Sequence, residues 1–316
     1  MLYNEKIMKN FKISVVVPVF DAELTLERLI KNILVEVKPF ASSCEIILVD
    51  DYSFDDSWNI IKSLSKKNKN IIGIKMAKNY GVDKALTAGL AKSSGDFVYI
   101  TTCDMQDPLN KMEAMFQKII NDENIDIVCS YFVNKHPESV VSRFYSKLYW
   151  RFFSFFAISN YPEEEGLYRL LSRKAVDFYL NNTNNFQHIK ILNGTGLEKK
   201  FVEMKQLQRN SGKSGYNLIK KIQFGVDYIS TYSYIPLIFS AVISFVLSII
   251  GFLLGLTFIA LKMLGITLLP GWTALAVIIS FFFSMLFFTL SIFAIYLSKN
   301  IEVSKNQKSY FISEES

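Results

Sequence analysis

Residues 12–51 read KISVVVPVFDAELTLERLIKNILVEVKPFASSCEIILVDD, and this stretch decides the fold. Ile13 to Val19 is an unbroken apolar run, Leu24 to Val37 is amphipathic at helical spacing, and Ile46 to Val49 is a second apolar run. An unbroken run predicts a strand covered on both faces, whereas the spacing of the middle segment predicts a helix with one buried side. The unit is therefore βαβ. The alternation continues through a polar helical stretch from Asp55 to Ser65, a strand from Ile71 to Met76, and a helix from Gly81 to Lys92. A strand from Phe97 to Thr101, a helix from Pro108 to Ile120 with proline in its first turn, and a strand from Ile125 to Tyr131 complete it. The pattern predicts an α/β fold with a mainly parallel sheet and helices on both faces.

Ligands of such sheets lie beyond the carboxyl ends of the strands. Acidic residues fall at those ends: Asp21 after the first strand, Asp50 and Asp51 after the second, Asp104 and Asp107 after the fourth. The first turn, Phe20-Asp21-Ala22-Glu23, has no G-x-G-x-x-G, and no Walker lysine loop follows any strand. Carboxylates in place of a glycine-rich loop point to phosphates met through a divalent cation. Any single aspartate also has a plainer role in ending a strand or capping a helix, as expected of Asp55.

The 316 residues are 50% hydrophobic and 15% aromatic, which excludes a disordered or collagen-like chain. The net charge of +6 comes from scattered lysines without an arginine stripe, so no nucleic-acid partner is expected. Cys44, Cys103 and Cys129 are odd in number and read as free thiols of a reducing compartment. The apolar run Ile13 to Phe20 holds Pro18 and meets Asp21, unlike a secretory signal, so the domain is expected in the cytosol. Much of the apolar excess lies after Tyr234, in runs at about residues 235–261 and 272–297, and a membrane-spanning helix needs about 20 such residues. Lys220 and Lys221 precede the pair and Lys299, Lys305 and Lys308 follow it, while the turn carries only Lys262, placing both ends in the cytosol. Residues 216–231 read as an amphipathic interfacial helix, and Phe144 to Ile158 as either a second one or a core helix. Glu314 and Glu315 read as a frayed end, and Lys62 to Lys69 as a solvated helix end. His136 and His188 are isolated and read as surface histidines.

The chain resembles family-2 glycosyltransferases of the GT-A fold, of the polyprenyl-phosphate sugar transferase type. The likeness rests on Ser14 to Phe20, Leu48 to Ser53, Lys78 to Gly81 with Ala85 to Gly89, and Asp104-Met105-Gln106-Asp107-Pro108. It continues through Arg169 to Arg173, Arg209 to Tyr216 and Ser233 to Leu237, so it covers nearly the whole chain. The resemblance implies a GT-A catalytic domain over residues 1–215, the interfacial helix, a two-helix transmembrane hairpin within 232–298, and a cytosolic tail over 299–316. It further implies that Pro18 and Phe20 line a base and ribose pocket and that Asp50 and Asp51 hydrogen-bond the nucleoside. Asp104 and Gln106 would hold Mg²⁺ or Mn²⁺ against the donor diphosphate, and Arg209 would contact that diphosphate. Lys84, Cys103 and Lys213 are the remaining donor-site residues that the likeness assigns.

Several positions depart from the family pattern, among them the loop lysine expected near Gly215, which is Lys213 here. Thr102 stands where the metal loop usually opens with aspartate, and Leu167 stands where many relatives carry an acid, with Glu163, Glu164 and Glu165 just upstream. Ala22 replaces another acid, with Glu23 beside it. A sugar hydroxyl needs a general base, whereas a phosphate monoester, with a second pKa of about 6, is already ionised. The expected reaction is thus inverting, metal-dependent transfer from a nucleotide-sugar to a polyprenyl phosphate by an enzyme of the inner membrane, whose paired hairpins could associate into homo-oligomers. Transfer to a hydroxyl of a lipid-linked glycan, and non-catalytic nucleotide-sugar binding, are the other readings.

Overall fold

A computed structural model describes residues 11–133, 165–182, 189, 192, 196–205, 207, part of 237–264, 271–304 and 310–316. The expected alternation is present, as β1 (Lys12–Val19), α1 (Leu26–Val37), β2 (Ser43–Asp50), α2 (Ser57–Lys67), β3 (Ile71–Met76), α3 (Val82–Lys92), β4 (Phe97–Ile100), α4 (Met112–Ile120) and β5 (Ile125–Phe132). Then come β6 (Glu165–Ser172), α5 (Arg173–Asn181), β7 (Glu198–Met204), α6 (Trp272–Ser304) and β8 (Ile312–Glu315). The eight strands form one sheet in the order β7-β5-β6-β4-β1-β2-β3-β8. β1, β2, β3 and β4 are mutually parallel, as are β5 and β7. Two strands run the other way: β6 lies antiparallel between β4 and β5, and β8 antiparallel on β3.

The sequence dictates where the core sits. In α1, Leu26, Leu29, Ile30, Ile33 and Val37 form one buried stripe. They meet Val15, Val17 and Val19 of β1, Trp58 and Ile61 of α2, and Met112, Met115 and Phe116 of α4 in one apolar layer. The opposite layer joins Val16 and Val49 to Ala85, Leu86 and Ala88 of α3 and to Ala175, Val176 and Tyr179 of α5. The small residues of α3 let it lie close to the sheet: a Cβ on Gly89 would fall 2.4 Å from a Val16 methyl.

At the amino-terminal edge a buried carboxylate fastens the strands together. Glu45 accepts hydrogen bonds from Ser14 Oγ at 2.6 Å and from the Ser94 N–H at 2.6 Å, and pairs with Lys12 Nζ at 3.0 Å. Burial alone pushes its pKa up, but these donors outweigh burial and bring it down to about 2. A carboxylate depressed in the folded state stabilises above its unfolded value, about 4.5, and loses that effect as pH falls toward 2. Glu45→Gln should accordingly lower unfolding stability by about 2 kcal/mol at pH 7 and by much less at pH 3. Thermal melts of wild type and variant followed by circular dichroism check this; a pH-independent difference would contradict it.

The chain divides into two compact units, one of Met1–Lys147, Ser159–Gly215 and Gln307–Ser316, the other of Leu148–Ile158 and Tyr216–Asn306. One junction between the units falls after Gly215, and the C-terminal residues 307–316 cluster with the first unit and not apart from it. Glu314 is no frayed end: β8 is hydrogen-bonded to β3, and Lys62, read as solvated, pairs with Glu314 at 3.7 Å. In the second unit, the described residues between 237 and 263 are helical, and α6 runs for 33 residues. Counted over the described residues alone, no helix is long and apolar enough to cross a membrane. The segments 144–158 and 216–231, Glu163, Glu164, His136, His188, Arg209 and Lys213 lie outside the described residues.

Candidate active site

β2 and β3 lie on one side of β1 and β4 on the other, so the connections diverge at the carboxyl ends of β1 and β4, where ligands enter such sheets. Three residues there have left-handed backbones: Asp21 (φ 48°) after β1, Tyr52 (φ 65°) after β2 and Met105 (φ 60°) after β4. Each costs energy, on the order of 1 kcal/mol or more, and such strain gathers at sites whose surroundings hold it in place.

Hydrogen bonds stitch the three loops together. Asp21 donates its N–H to Ser53 Oγ at 3.0 Å, and its carboxylate accepts the Phe54 N–H at 2.8 Å. Glu23 is bound to the same loop twice: its N–H donates to Asp55 Oδ2 at 2.9 Å, and its Oε2 accepts the Asp56 N–H at 3.0 Å. Asp55 also accepts the Ser57 N–H at 3.0 Å, but the N-cap position of α2 is Asp56, one residue beyond the capping residue expected. On the other flank, Thr25 Oγ1 donates to the Cys103 carbonyl at 2.8 Å, and the Leu207 N–H donates to the Gln106 carbonyl at 3.0 Å. Leu207, which follows β7 in the chain, is thereby tied to this loop.

Within the 102–107 loop, Asp104 Oδ1 accepts from Thr102 Oγ1 at 2.7 Å and from the Gln106 N–H at 3.1 Å. Asp107 Oδ2 accepts from Thr101 Oγ1 at 2.9 Å, the Thr102 N–H at 2.9 Å and Thr102 Oγ1 at 3.0 Å. Thr102, which replaces an acid of the family pattern, therefore sits between two carboxylates, and its single proton can serve one of them at a time. Burial, together with the nearby charge of Asp104, lifts the Asp107 carboxyl to about 6 against the pull of these donors. This bridging role of Thr102 is not readable from its residue type. Among the described residues no group of three His, Cys, Asp or Glu side chains could hold a metal ion. One carboxylate and one amide oxygen from Asp104 and Gln106 still fit Mg²⁺ or Mn²⁺, since Mg²⁺ usually takes one or two carboxylates, with substrate phosphates and water completing its shell.

Asp50 and Asp51 differ sharply. Asp50 is fully buried; Oδ1 accepts the Ser53 N–H at 3.3 Å, while Oδ2 has no partner, and burial raises its pKa despite the Ser53 bonds. An unpaired buried carboxylate oxygen is costly and suits a ligand's N–H or O–H. Both oxygens of Asp51 are engaged, by the Tyr80 N–H at 2.7 Å and the Gly81 N–H at 2.8 Å. Asp51 thereby fixes Gly81, whose φ of 88° suits glycine, as the residue preceding α3. Pro18 is buried in β1, Phe20 is exposed, and Lys84 lies in the first turn of α3. Tyr52 and Phe54 join Phe20 in an exposed group of edge-to-face rings, with centroids 6.0 Å and 6.2 Å from Phe54. Phe54 is not legible as a site residue in the sequence, because an exposed aromatic carries no period.

The acid upstream of Leu167 is accounted for as well. Glu165 is buried, with Oε1 3.2 Å from Arg169 Nη2 and Oε2 3.0 Å from Lys199 Nζ. The Cys44 and Cys129 thiols, pushed up to about 12 chiefly by burial, stay protonated, and Cys44, Cys103 and Cys129 form no disulfide.

Residues 14–180 match the family model described as Glycosyl transferase family 2. The chain is 26% identical over 307 residues to the bactoprenol glucosyl transferase of Shigella phage SfV, covering 96% of this chain and 99% of that one. It is 27% identical over 268 residues to the undecaprenyl-phosphate 4-deoxy-4-formamido-L-arabinose transferase of Serratia proteamaculans, covering 83% and 79%. Among solved structures, a glucosyl-3-phosphoglycerate synthase from Mycobacterium tuberculosis in complex with Mn²⁺, UDP and phosphoglyceric acid matches at 18% identity and a TM-score of 0.47, over 72% of this chain and 79% of that one.

Proposed function

This chain belongs to glycosyl transferase family 2, and on that premise we propose that it moves a sugar from a nucleotide-sugar to a membrane polyprenyl phosphate. The observation that carries the reading is the stitched carboxyl edge, which holds Asp104 and Gln106 in one loop and leaves Asp50 Oδ2 buried and unpaired. In this reading Pro18 and Phe20 flank the base and Asp50 accepts a hydrogen bond from the nucleoside. Asp51 works indirectly, through the Tyr80–Gly81 backbone. Asp104 and Gln106 would hold Mg²⁺ or Mn²⁺, which would supply positive charge to offset that of the departing nucleoside diphosphate. Lys84, Arg209 and Lys213 add positive charge around that diphosphate, and Cys103 lines the loop.

The pairing of Glu165, the one described acid of the three upstream of Leu167, supports the choice of acceptor. With its two oxygens paired to Arg169 and Lys199, Glu165 is not placed to take a proton from a sugar hydroxyl. A phosphate monoester needs no such base. Its oxygen attacks the anomeric carbon from the face opposite the diphosphate; the new C–O bond forms as the old one breaks, and the configuration inverts. The two relatives named above as acting with bactoprenol or undecaprenyl phosphate align over 96% and 83% of this chain, which supports the same acceptor class here.

A two-helix membrane hairpin between residues 232 and 298 belongs to this proposal. Exposed apolar side chains extend along α6, among them Leu275, Phe281, Phe287, Phe293 and Leu297. At about 1.5 Å per residue the helix exceeds the roughly 30 Å of a bilayer core. Because β8 rejoins the sheet that β1 to β7 build, any crossings between Met204 and Ile312 must be even in number. The sheet then lies on one side, which we take to be the cytosolic face of the inner membrane.

Purified chain in detergent with Mn²⁺, undecaprenyl phosphate and a panel of labelled UDP- and GDP-sugars should yield a labelled, organic-extractable lipid, abolished by chelation. Turnover with none of the panel, or only onto a hydroxyl acceptor, would overturn the reading.

A further inference from the structure

The last strand of the sheet comes from a segment that follows the long helix α6 in sequence. Its backbone is paired with β3 at both ends: Gly73 and Ser316 exchange N–H···O bonds of 3.0 Å and 2.9 Å, and the Ala77 N–H donates to the Phe311 carbonyl at 2.9 Å. Side chains then make it selective. Trp58 Nε1 donates to Glu314 Oε2 at 3.0 Å, Lys62 stands 3.7 Å from Glu314, and Lys92 pairs with Glu315 at 2.5 Å. The ammonium groups of Lys62 and Lys75 lie 5.8 Å and 5.7 Å from the Trp58 ring. The β3 edge is thus a basic and aromatic receptor for an acidic strand, the geometry of strand addition to a sheet edge.

The place where this strand ends its grip matters most. Ala77 is the first residue after β3, and the chain runs on through Lys78 to Gly81 into α3. That loop is held at its far end by Asp51, through the Tyr80 and Gly81 N–H groups. One end is therefore fixed by the 310–316 segment and the other by the residue next to Asp50. Without the segment, the loop would keep one anchor and the β3 edge would lie open.

We infer that residues 310–316 form a positioning strand for the nucleotide site, holding the β3–α3 loop in its donor-binding arrangement. The inference rests on the reading of the carboxyl edge as the donor site. Its residues touch no substrate; they act through Ala77 and the loop. The flanking ion pairs are solvent-exposed, so the grip should weaken with salt.

The test compares the full chain with one ending at Lys308, both in detergent, and titrates UDP and GDP with Mn²⁺ by calorimetry. Removal should raise the nucleotide Kd about tenfold and raise donor KM similarly, with kcat at saturating donor nearly unchanged. The synthetic peptide Tyr310–Ser316 should restore the Kd, and the same peptide carrying Glu314→Lys and Glu315→Lys should not. The full chain with those two substitutions should show a smaller rise of the same kind, and it serves if the shortened chain fails to fold. Unchanged Kd in both variants, or peptide binding seen by fluorescence anisotropy with no effect on Kd, would overturn the inference. If the full chain itself binds neither nucleotide, the donor-site reading fails instead, and amide exchange at Tyr80 and Gly81 decides: peptide-dependent slowing supports the positioning strand, and its absence refutes it.

Discussion

Asp104→Asn is expected to lower sugar transfer by about 10²- to 10³-fold, the range seen when one group that stabilises developing charge is removed. The substitution keeps the shape of the side chain and one oxygen able to accept from Thr102 Oγ1 and the Gln106 N–H, so the loop retains its hydrogen bonds. What disappears is the negative charge, and with it the only full carboxylate proposed to hold the cation. The loss should fall on kcat and on the Mn²⁺ concentration needed for half-maximal rate, while thermal stability stays near that of wild type. Lipid-linked product measured at saturating donor across a Mn²⁺ titration separates these effects. Unchanged turnover would remove Asp104 from the site.

Glu165→Ala should produce the largest change in stability, a destabilisation of about 3–5 kcal/mol, as found when one partner of a buried ion pair is deleted. Arg169 is fully buried, and its guanidinium donates to Glu165 Oε1, the Gly166 carbonyl and the Leu167 carbonyl. Removing Glu165 takes away the counter-charge that, among the described residues, pairs with that cation and with the largely buried Lys199. Glu165→Gln should cost less, because the amide oxygen still accepts one bond. Melting temperatures of both variants check the order. The activity per folded molecule toward a phosphate acceptor should persist; a normal melting temperature with abolished turnover would instead make Glu165 a catalytic group. Replacing Glu163, Glu164 and Glu165 together is consequently a poor probe of the acceptor, since it mixes folding with chemistry.

The two predictions differ in how far the sequence leads to them. Asp104 follows a strand-like run at a position where any parallel sheet would expose it, so its candidacy is local information. The partners of Glu165 are not local. Arg169 is four residues away on a strand that carries no clear period, and Lys199 comes from β7, two strands away across β5. Thr102 makes the same point within one loop: its residue type reads as a lost acid, and only the folded turn shows its hydroxyl between Asp104 and Asp107.

The sequence by itself determined the βαβ alternation, the two buried layers and the acidic carboxyl edge. Each of these depends on which residues within a few positions of one another must leave water, and that periodicity is written in the chain. Tertiary structure alone decided the reversed β6 between β4 and β5, the return of β8 to β3, the clasp between the 20–23 and 53–56 loops, and the commitment of Glu165 to Arg169 and Lys199. These are pairings between segments far apart along the chain. Their energies depend on distance in space and on burial, which no local pattern of residues specifies.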